Sequence, residues 1–182
     1  MTRQKNYRKT LIACYLGFVT QAITANFAPL LFLTFQSSYR ITLEKIALIP
    51  MTFYLAQLLI DLAASRFADR IGYRACVVAS QILSAAGLVS MTWLPELFDT
   101  PFWGILVSVV LYAVGSGLIE VLVSPIVEAC PFAHKEGVMS LLHSFYCWGA
   151  VGVVLGSPPL FLGFWPGALE GPYDDLGAGT AV

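Results

Sequence analysis

The chain has 182 residues, of which 58% are hydrophobic and 12% are charged, and its formal net charge is −1. A soluble domain of this length cannot bury so much apolar surface, whereas lipid solvates such an excess around a membrane protein. The small net charge gives no basic field that would attract nucleic acid. The composition therefore predicts an all-α fold, a polytopic bundle of transmembrane helices in contact with a lipid bilayer.

Five apolar segments, numbered 1 to 5 in chain order, are long enough to cross a bilayer as helices. They cover residues 11–35, 46–64, 75–94, 102–126 and 138–155. Segment 1 follows a basic stretch but is about twice as long as the apolar part of a signal peptide. We therefore expect it to stay in the mature protein as the first spanning helix, with Pro29 tolerated inside it.

The short stretch 65–74 joins segments 2 and 3 and carries three arginines and one aspartate. We predict a tight turn there. With the N-terminus in the cytoplasm, eight of the ten basic residues lie on the inner side, and only Arg40 and Lys45 lie outside. Because basic residues favour the cytoplasmic side, this count predicts a multi-pass protein of the cell membrane with a cytoplasmic N-terminus.

The end of the chain has a different composition. The sequence Gly156-Ser-Pro-Pro159 is predicted to interrupt or end segment 5, and residues 166–182 are rich in glycine and proline without a helical period. We therefore divide the chain into residues 1–157 and an atypical tail, residues 158–182. The tail is interpreted as disordered, or as the product of a truncation or frameshift.

Four cysteines form no Cys-x-x-Cys pair, and neither a metal site nor a disulfide framework is expected. No cofactor is predicted, and no nucleophile, metal cluster or phosphate-binding loop indicates an enzyme. Glycines in segments 4 and 5 are predicted to allow close approach of helices. These are Gly115, Gly117, Gly149, Gly152 and Gly156.

The turn carries a recognisable pattern, Ser65-x-x-x-Asp69-Arg70-x-Gly72-Tyr73-Arg74. It resembles the cytoplasmic loop between helices 2 and 3 of the major facilitator superfamily. The resemblance implies the first half of a twelve-helix transporter, so a C-terminal half is expected for full activity. In such proteins the loop belongs to a cytoplasmic gate, a role that the resemblance assigns to Asp69, Arg70, Gly72 and Arg74.

Two further motifs resemble the fucose permease-like sugar:proton symporters. The first is Gly115-Ser-Gly117-Leu-Ile-Glu120 followed by Ser124-Pro125, and the second is Leu141-Leu-His-Ser-Phe-Tyr146. A rival motif, Gly149-x-x-Gly152-x-x-x-Gly156-Ser157-Pro158, is loosely similar to helix 5 of drug:proton antiporters.

Glu120 is the main candidate for proton coupling. It lies near the middle of segment 4, where a carboxylate costs about 2.5–3.5 kcal/mol even on the milder insertion scale. It must face a cavity, find a partner or carry a proton, and loading and releasing a proton is what proton-coupled transport requires. A purely structural glutamate, hydrogen-bonded between helices, is the alternative.

Polar residues on three segments are candidates for substrate binding. Asn26 and Gln21 carry amides that can both donate to and accept from sugar hydroxyls. Ser124 continues a slanting polar stripe through Glu120, and His143 opens segment 5; interhelical hydrogen bonding or a place at the membrane interface would also explain these residues. Gln57 is interpreted as an interhelical contact, and Asp61 as a partner of the arginines in the turn.

These features predict secondary transport of a small polar solute, sugar-like, coupled to protons by alternating access. One alternative is a membrane protein that does not transport, or a defective fragment. Within transporters, the alternative is a drug:proton antiporter.

Overall fold

The computed structural model of the protein describes residues 7–131 and 134–164, and this part of the chain is helical throughout apart from short connections. The helices are α1 (Tyr7–Leu30), α2 (Phe32–Tyr39), α3 (Leu43–Ile71), α4 (Tyr73–Leu97), α5 (Pro101–Ala129) and α6 (Lys135–Phe164). All but the short α2 are long and apolar enough to cross a membrane. The predicted all-α bundle with five spanning helices is therefore confirmed.

Helix α5 is the centre of the bundle and the most buried of the five spans. It packs against α3, α4 and α1, while α6 packs mainly against α1. Three apolar clusters surround α5, and it contributes to each: Tyr112 to the first, Ile119 and Val123 to the second, and Leu118 and Leu122 to the third. A helix that is apolar apart from one narrow polar stripe is stable in such a central position because neighbouring helices cover most of its surface.

In contrast to the buried α5, helix α3 has one side that is apolar and exposed. Its exposed large side chains recur along most of the helix: Leu48, Met51, Tyr54, Leu55, Leu58, Leu59 and Leu62. In water such a surface would cause aggregation, but acyl chains solvate it within a bilayer. This surface is consistent with the composition of the chain and with a multi-pass membrane protein.

The first predicted segment is not a single helix. It breaks at Leu31, two residues after Pro29, and α2 follows as a separate short helix that ends before Arg40, which adopts a left-handed conformation with φ 50°. Proline has no N–H group and its ring crowds the preceding turn, so the helix is weakest there. The prediction of one uninterrupted helix over residues 11–35 was wrong on this point.

The stretch 65–74, predicted to be a turn, is helical except for one residue. Helix α3 continues to Ile71, and α4 begins at Tyr73, so Gly72 is the single residue between them. Ala64 and Ala68 hold this part of α3 against α4 and α5. Gly72 has φ 96°, a conformation that residues with a side chain rarely adopt, and its N–H group donates to the carbonyl oxygen of Ala68 at 2.9 Å.

The predicted interruption of segment 5 at residues 156–159 is wrong as well, because α6 runs through this stretch to Phe164. Neighbouring backbone groups in membrane helices accommodate proline. Residues 165–182, which include most of the predicted tail, lie outside the described residues, and the division of the chain at residue 157 stays a prediction.

Close helix approach is confirmed for three of the five glycines. A Cβ atom added to Gly115, Gly117 or Gly149 would collide with a neighbouring helix, α4, α3 or α1 respectively. The prediction was wrong for Gly152 and Gly156, where an added Cβ would meet nothing within 4 Å.

Candidate functional site

Four helices line a polar cavity of about 370 Å³ around Glu120. Its walls come from α1, α3, α5 and α6. The lining residues are Phe18, Gln21, Ala25, Tyr54, Gln57, Glu120, Ser124, His143 and Tyr146. Three of the four residues predicted to bind substrate are therefore brought together with the residue predicted to couple protons. The volume is at the lower end of the range of pockets that hold small molecules.

The Glu120 carboxylate is held by two amides from different helices. Its Oε2 atom accepts a hydrogen bond from Nε2 of Gln21 in α1 at 2.8 Å and another from Nε2 of Gln57 in α3. Glu120 itself is exposed to the cavity, whereas Gln21 is only 6% exposed. Two N–H donors stabilise the charge of a carboxylate. Glu120 thus joins α1, α3 and α5 and still presents its side chain to a solute in the cavity.

Aromatic rings fix the orientation of the histidine. The His143 ring lies edge-on against Phe18, with centroids 5.5 Å apart and planes at 75°. Tyr146, one turn further along α6, makes a similar contact with Phe18 at 6.4 Å. The nitrogens of His143 are thereby positioned by packing, and the half-buried Ser124 adds a hydroxyl to the same cavity.

Asn26 is not part of this group. Its Nδ2 atom donates to the carbonyl oxygen of Ala22 at 2.8 Å, a hydrogen bond within α1, and Asn26 does not line the cavity. Tyr112 and Ser116, which precede Glu120 on α5, are buried and also lie outside the lining. Tyr112 packs against Phe53, with ring centroids 5.6 Å apart.

The residues predicted to form a cytoplasmic gate lie together at the junction of α3 and α4, far from the cavity. Gly72 follows Gln57 by fifteen residues of helix, about 22 Å along the axis. There the hydroxyl of Tyr73 donates to Oδ1 of Asp69 at 2.7 Å, while Arg70 and Arg74 are exposed. The gate role stays a prediction, but these residues do not belong to the polar cavity.

Two cavity features were missed or undervalued in the sequence. Gln57 was interpreted as an interhelical contact only; it does contact another helix, through Glu120, but it also lines the cavity. Tyr54 and Tyr146 were not singled out. Tyr54 and Gln57 are a polar or amphipathic pair about one turn apart in an apolar segment. Such a pair lies on one side of a helix, and this spacing could have identified the polar face of α3.

A second cavity, of about 540 Å³, lies between α1, α2, α4 and α6. Its lining is mostly apolar, with residues such as Phe27, Leu88 and Val153. It contains none of the candidate site residues, and the polar chemistry of the described chain is concentrated around Glu120.

A multi-pass helical bundle with a polar cavity at the depth of its membrane spans defines a class of protein, the membrane transport proteins. The profile of the Major Facilitator Superfamily matches residues 13–168, which is most of the chain. The chain therefore belongs to the Major Facilitator Superfamily, whose members are transporters rather than enzymes. No curated protein and no solved structure matches the chain significantly.

Proposed function

We propose that the protein carries out secondary transport of a small polar solute, sugar-like, and that Glu120 couples this transport to protons. The observation that supports the proposal is the position of Glu120, exposed to a polar cavity and held by amides of α1 and α3. A carboxyl group at the depth of the bilayer can load and release a proton, and its neighbours can respond to the change of charge.

The proposed solute-binding residues are Gln21, Ser124 and His143, which line the cavity with Glu120. Amide, hydroxyl and imidazole groups both donate and accept hydrogen bonds, which suits the hydroxyls of a sugar. The rings of Tyr54 and Tyr146 give apolar surface against which a sugar ring can pack. Asn26 was also predicted to bind substrate, but its side chain is engaged within α1 and does not support the proposal.

The site fits alternating access, in which the cavity opens to one side of the membrane at a time. We propose that the cytoplasmic gate residues Asp69, Arg70, Gly72 and Arg74 stabilise the state closed to the cytoplasm. We also propose that a C-terminal half completes the cavity wall opposite α1 and α5, as the resemblance implies, and that the protein acts in the cell membrane with a cytoplasmic N-terminus.

The test is uptake into proteoliposomes that contain the protein as the cell makes it, with a panel of radiolabelled sugars and an imposed proton gradient. In Glu120→Gln, uptake driven by the gradient is expected to be lost, while exchange of labelled for unlabelled solute continues. The side chain keeps its size and accepts hydrogen bonds but cannot release a proton. Glu44→Gln, an exposed residue in the first turn of α3, is the matched control.

Accumulation against a gradient by Glu120→Gln would show that Glu120 does not couple protons. Transport of lipophilic cations in exchange for protons, with no sugar uptake, would indicate a drug:proton antiporter instead. A wild-type protein that binds and moves no solute in any panel would support a membrane protein without transport activity.

A further inference from the structure

Two buried oxygen atoms near Glu120 lack a hydrogen-bond donor in the described part of the chain. They are Oε1 of Gln21 and Oδ1 of Asp61, and the buried hydroxyl of Ser116, one turn before Glu120, has no partner either. Gln21 is 94% buried and its amide nitrogen already donates to Glu120, so its oxygen lies in the same group. A buried acceptor without a donor destabilises the folded protein. The hydroxyl of Ser116 can donate to at most one of these two acceptors, so at least one acceptor is left for a bound proton or another cation.

The carboxyl group of Asp61 lies against the backbone of α5, close to Glu120. A Cβ atom added to Gly117 would be 2.8 Å from Oδ1 of Asp61 and 3.2 Å from the backbone oxygen of Gln57. Gly117 is nearly one turn before Glu120 on α5, and Gln57 is about one turn before Asp61 on α3. Gln57 and Asp61 thus lie on the face of α3 that meets α5 at Gly117 and Glu120, which brings the two carboxyl groups to the same helix contact.

We propose that Asp61 and Glu120 share one proton and that Asp61 is a second proton-binding residue of the transport site, an inference that rests on the proposed proton coupling. Two adjacent carboxylates at low dielectric cannot both keep a negative charge without strong repulsion. Oε2 of Glu120 accepts two amide donors, which stabilise its charge, so the proton resides on Asp61 in this arrangement. Moving it to Glu120 breaks one O–H bond and forms another, and no other reactant is needed.

Other titratable groups near the pair are not carboxyl groups. His143 and Tyr146 approach from α6, and Tyr54 approaches from α3 itself. Helix α1 contributes the uncharged Gln21, and the charged residues of α4 lie at its two ends, in the first and last turns. Among the described acidic residues, Asp61 and Glu120 are the two at this contact between α3 and α5, so the repulsion that holds the proton comes from this pair.

The pair can be observed directly by infrared spectroscopy of the purified protein in detergent at neutral pH. Protonated carboxyl groups give a C=O stretching band that shifts in D₂O. In the wild type we expect a band equivalent to one protonated carboxyl group at the pair. Asp61→Asn and Glu120→Gln should each abolish it, because either substitution removes the repulsion that retains the proton. Asp99→Asn, in the exposed connection between α4 and α5, should leave it unchanged.

Each other result overturns the proposal. If only one of the two variants loses the band, that residue holds the proton alone. If the wild type has no such band and is instead stabilised by sodium ions, the pair binds a metal cation. The infrared measurement needs no solute, so it tests this inference separately from the proposed function. A shared proton without solute uptake would contradict the proposed function alone. Proton-coupled uptake without a shared proton would contradict this inference alone.

Discussion

Glu120 illustrates how a costly residue is accommodated by its neighbours. Its carboxylate is placed at the depth of the bilayer, and Gln21 and Gln57 provide the donors that water would otherwise provide. These two amides belong to different helices, so a solute that displaces one of them from Glu120 also loosens the contact between α5 and that helix. The same hydrogen bonds can therefore respond to a solute and hold the bundle together.

At the residue scale we predict that His143→Phe weakens solute binding. Phenylalanine retains the edge-on contact of the ring with Phe18, but it removes both nitrogens. Loss of one hydrogen bond to the solute is worth about 1.5 kcal/mol, which corresponds to roughly a tenfold increase in KM with a smaller change in kcat. Initial rates of uptake over a range of solute concentrations measure both quantities.

The control is His134→Phe, which changes an exposed histidine before α6. It should leave KM unchanged. An unaltered KM in His143→Phe would mean that His143 packs against Phe18 without contacting the solute.

The sequence was sufficient to single out Glu120, because the cost of a carboxylate depends on its depth in an apolar segment and depth follows from position. It was not sufficient to assign Gln57 or Asp61. Which face of α3 turns toward α5 depends on packing between helices that are far apart in sequence, and the exposed leucines of α3 leave its orientation ambiguous. For the same reason the sequence did not show that Gln21 faces the cavity whereas Asn26 does not, which depends on the rotation of α1.

At the scale of elements, glycines set how closely the helices pack around α5. Gly115 lies against Ser80 and Ser84 of α4, and Gly117 lies against Ile60 and Asp61 of α3. These neighbouring positions on α5 point to different helices because successive residues are separated by about 100°. The short stretch 115–117 thus brings two helices close to α5 just before Glu120.

We predict that Gly117→Ala destabilises the protein and separates α3 from α5. The added methyl group would overlap Ile60 and lie 2.8 Å from Oδ1 of Asp61. Overpacking of this kind costs about 1–3 kcal/mol, and it would also move Gln57 away from Glu120. Thermal unfolding in detergent measures the first effect, and the rate of proton-driven uptake measures the second.

Gly152→Ala is a suitable comparison, since an added methyl group there meets nothing within 4 Å. It is expected to leave the unfolding temperature unchanged or slightly raised. Equal unfolding temperatures for the two variants would show that the contact at Gly117 tolerates a side chain.

The existence of the five spans could be predicted from hydropathy, but their ends could not. Helix α3 extends seven residues beyond its predicted end at Ala64, because Arg66, Asp69 and Arg70 are exposed while Ala64 and Ala68 are buried. Charged residues were interpreted as a turn, although an amphipathic last turn at the membrane surface has the same composition. Only Gly72 ended the helix.

At the scale of the whole molecule, the arrangement agrees with the first five helices expected from the resemblance. Helix α5 is enclosed, whereas α3 and α6 have large exposed apolar surfaces. These surfaces face acyl chains or further helices. Glu120 is exposed in the cavity between them, so a wall added opposite α1 and α5 would enclose it.

The orientation of the bundle gives a prediction for the whole chain. In a background with Cys147→Ser, we expect Asp99→Cys to react with an impermeant maleimide in intact cells. Lys135→Cys should react only after the membrane is permeabilised, because the excess of basic residues predicts a cytoplasmic position for its loop. Both positions are exposed, whereas Cys14, Cys76 and Cys130 are buried. The reverse labelling pattern would place the N-terminus outside.

The single residue between α3 and α4 limits how the bundle can change shape. One residue spans at most about 3.6 Å, which is less than the 5.4 Å of one helical turn. Gly72 therefore cannot let α3 slide by a turn along α4 unless one of the two helix ends unwinds. At this end of the bundle α3 and α4 are joined by one residue, so motions between them are limited to changes of the interhelical angle at Gly72.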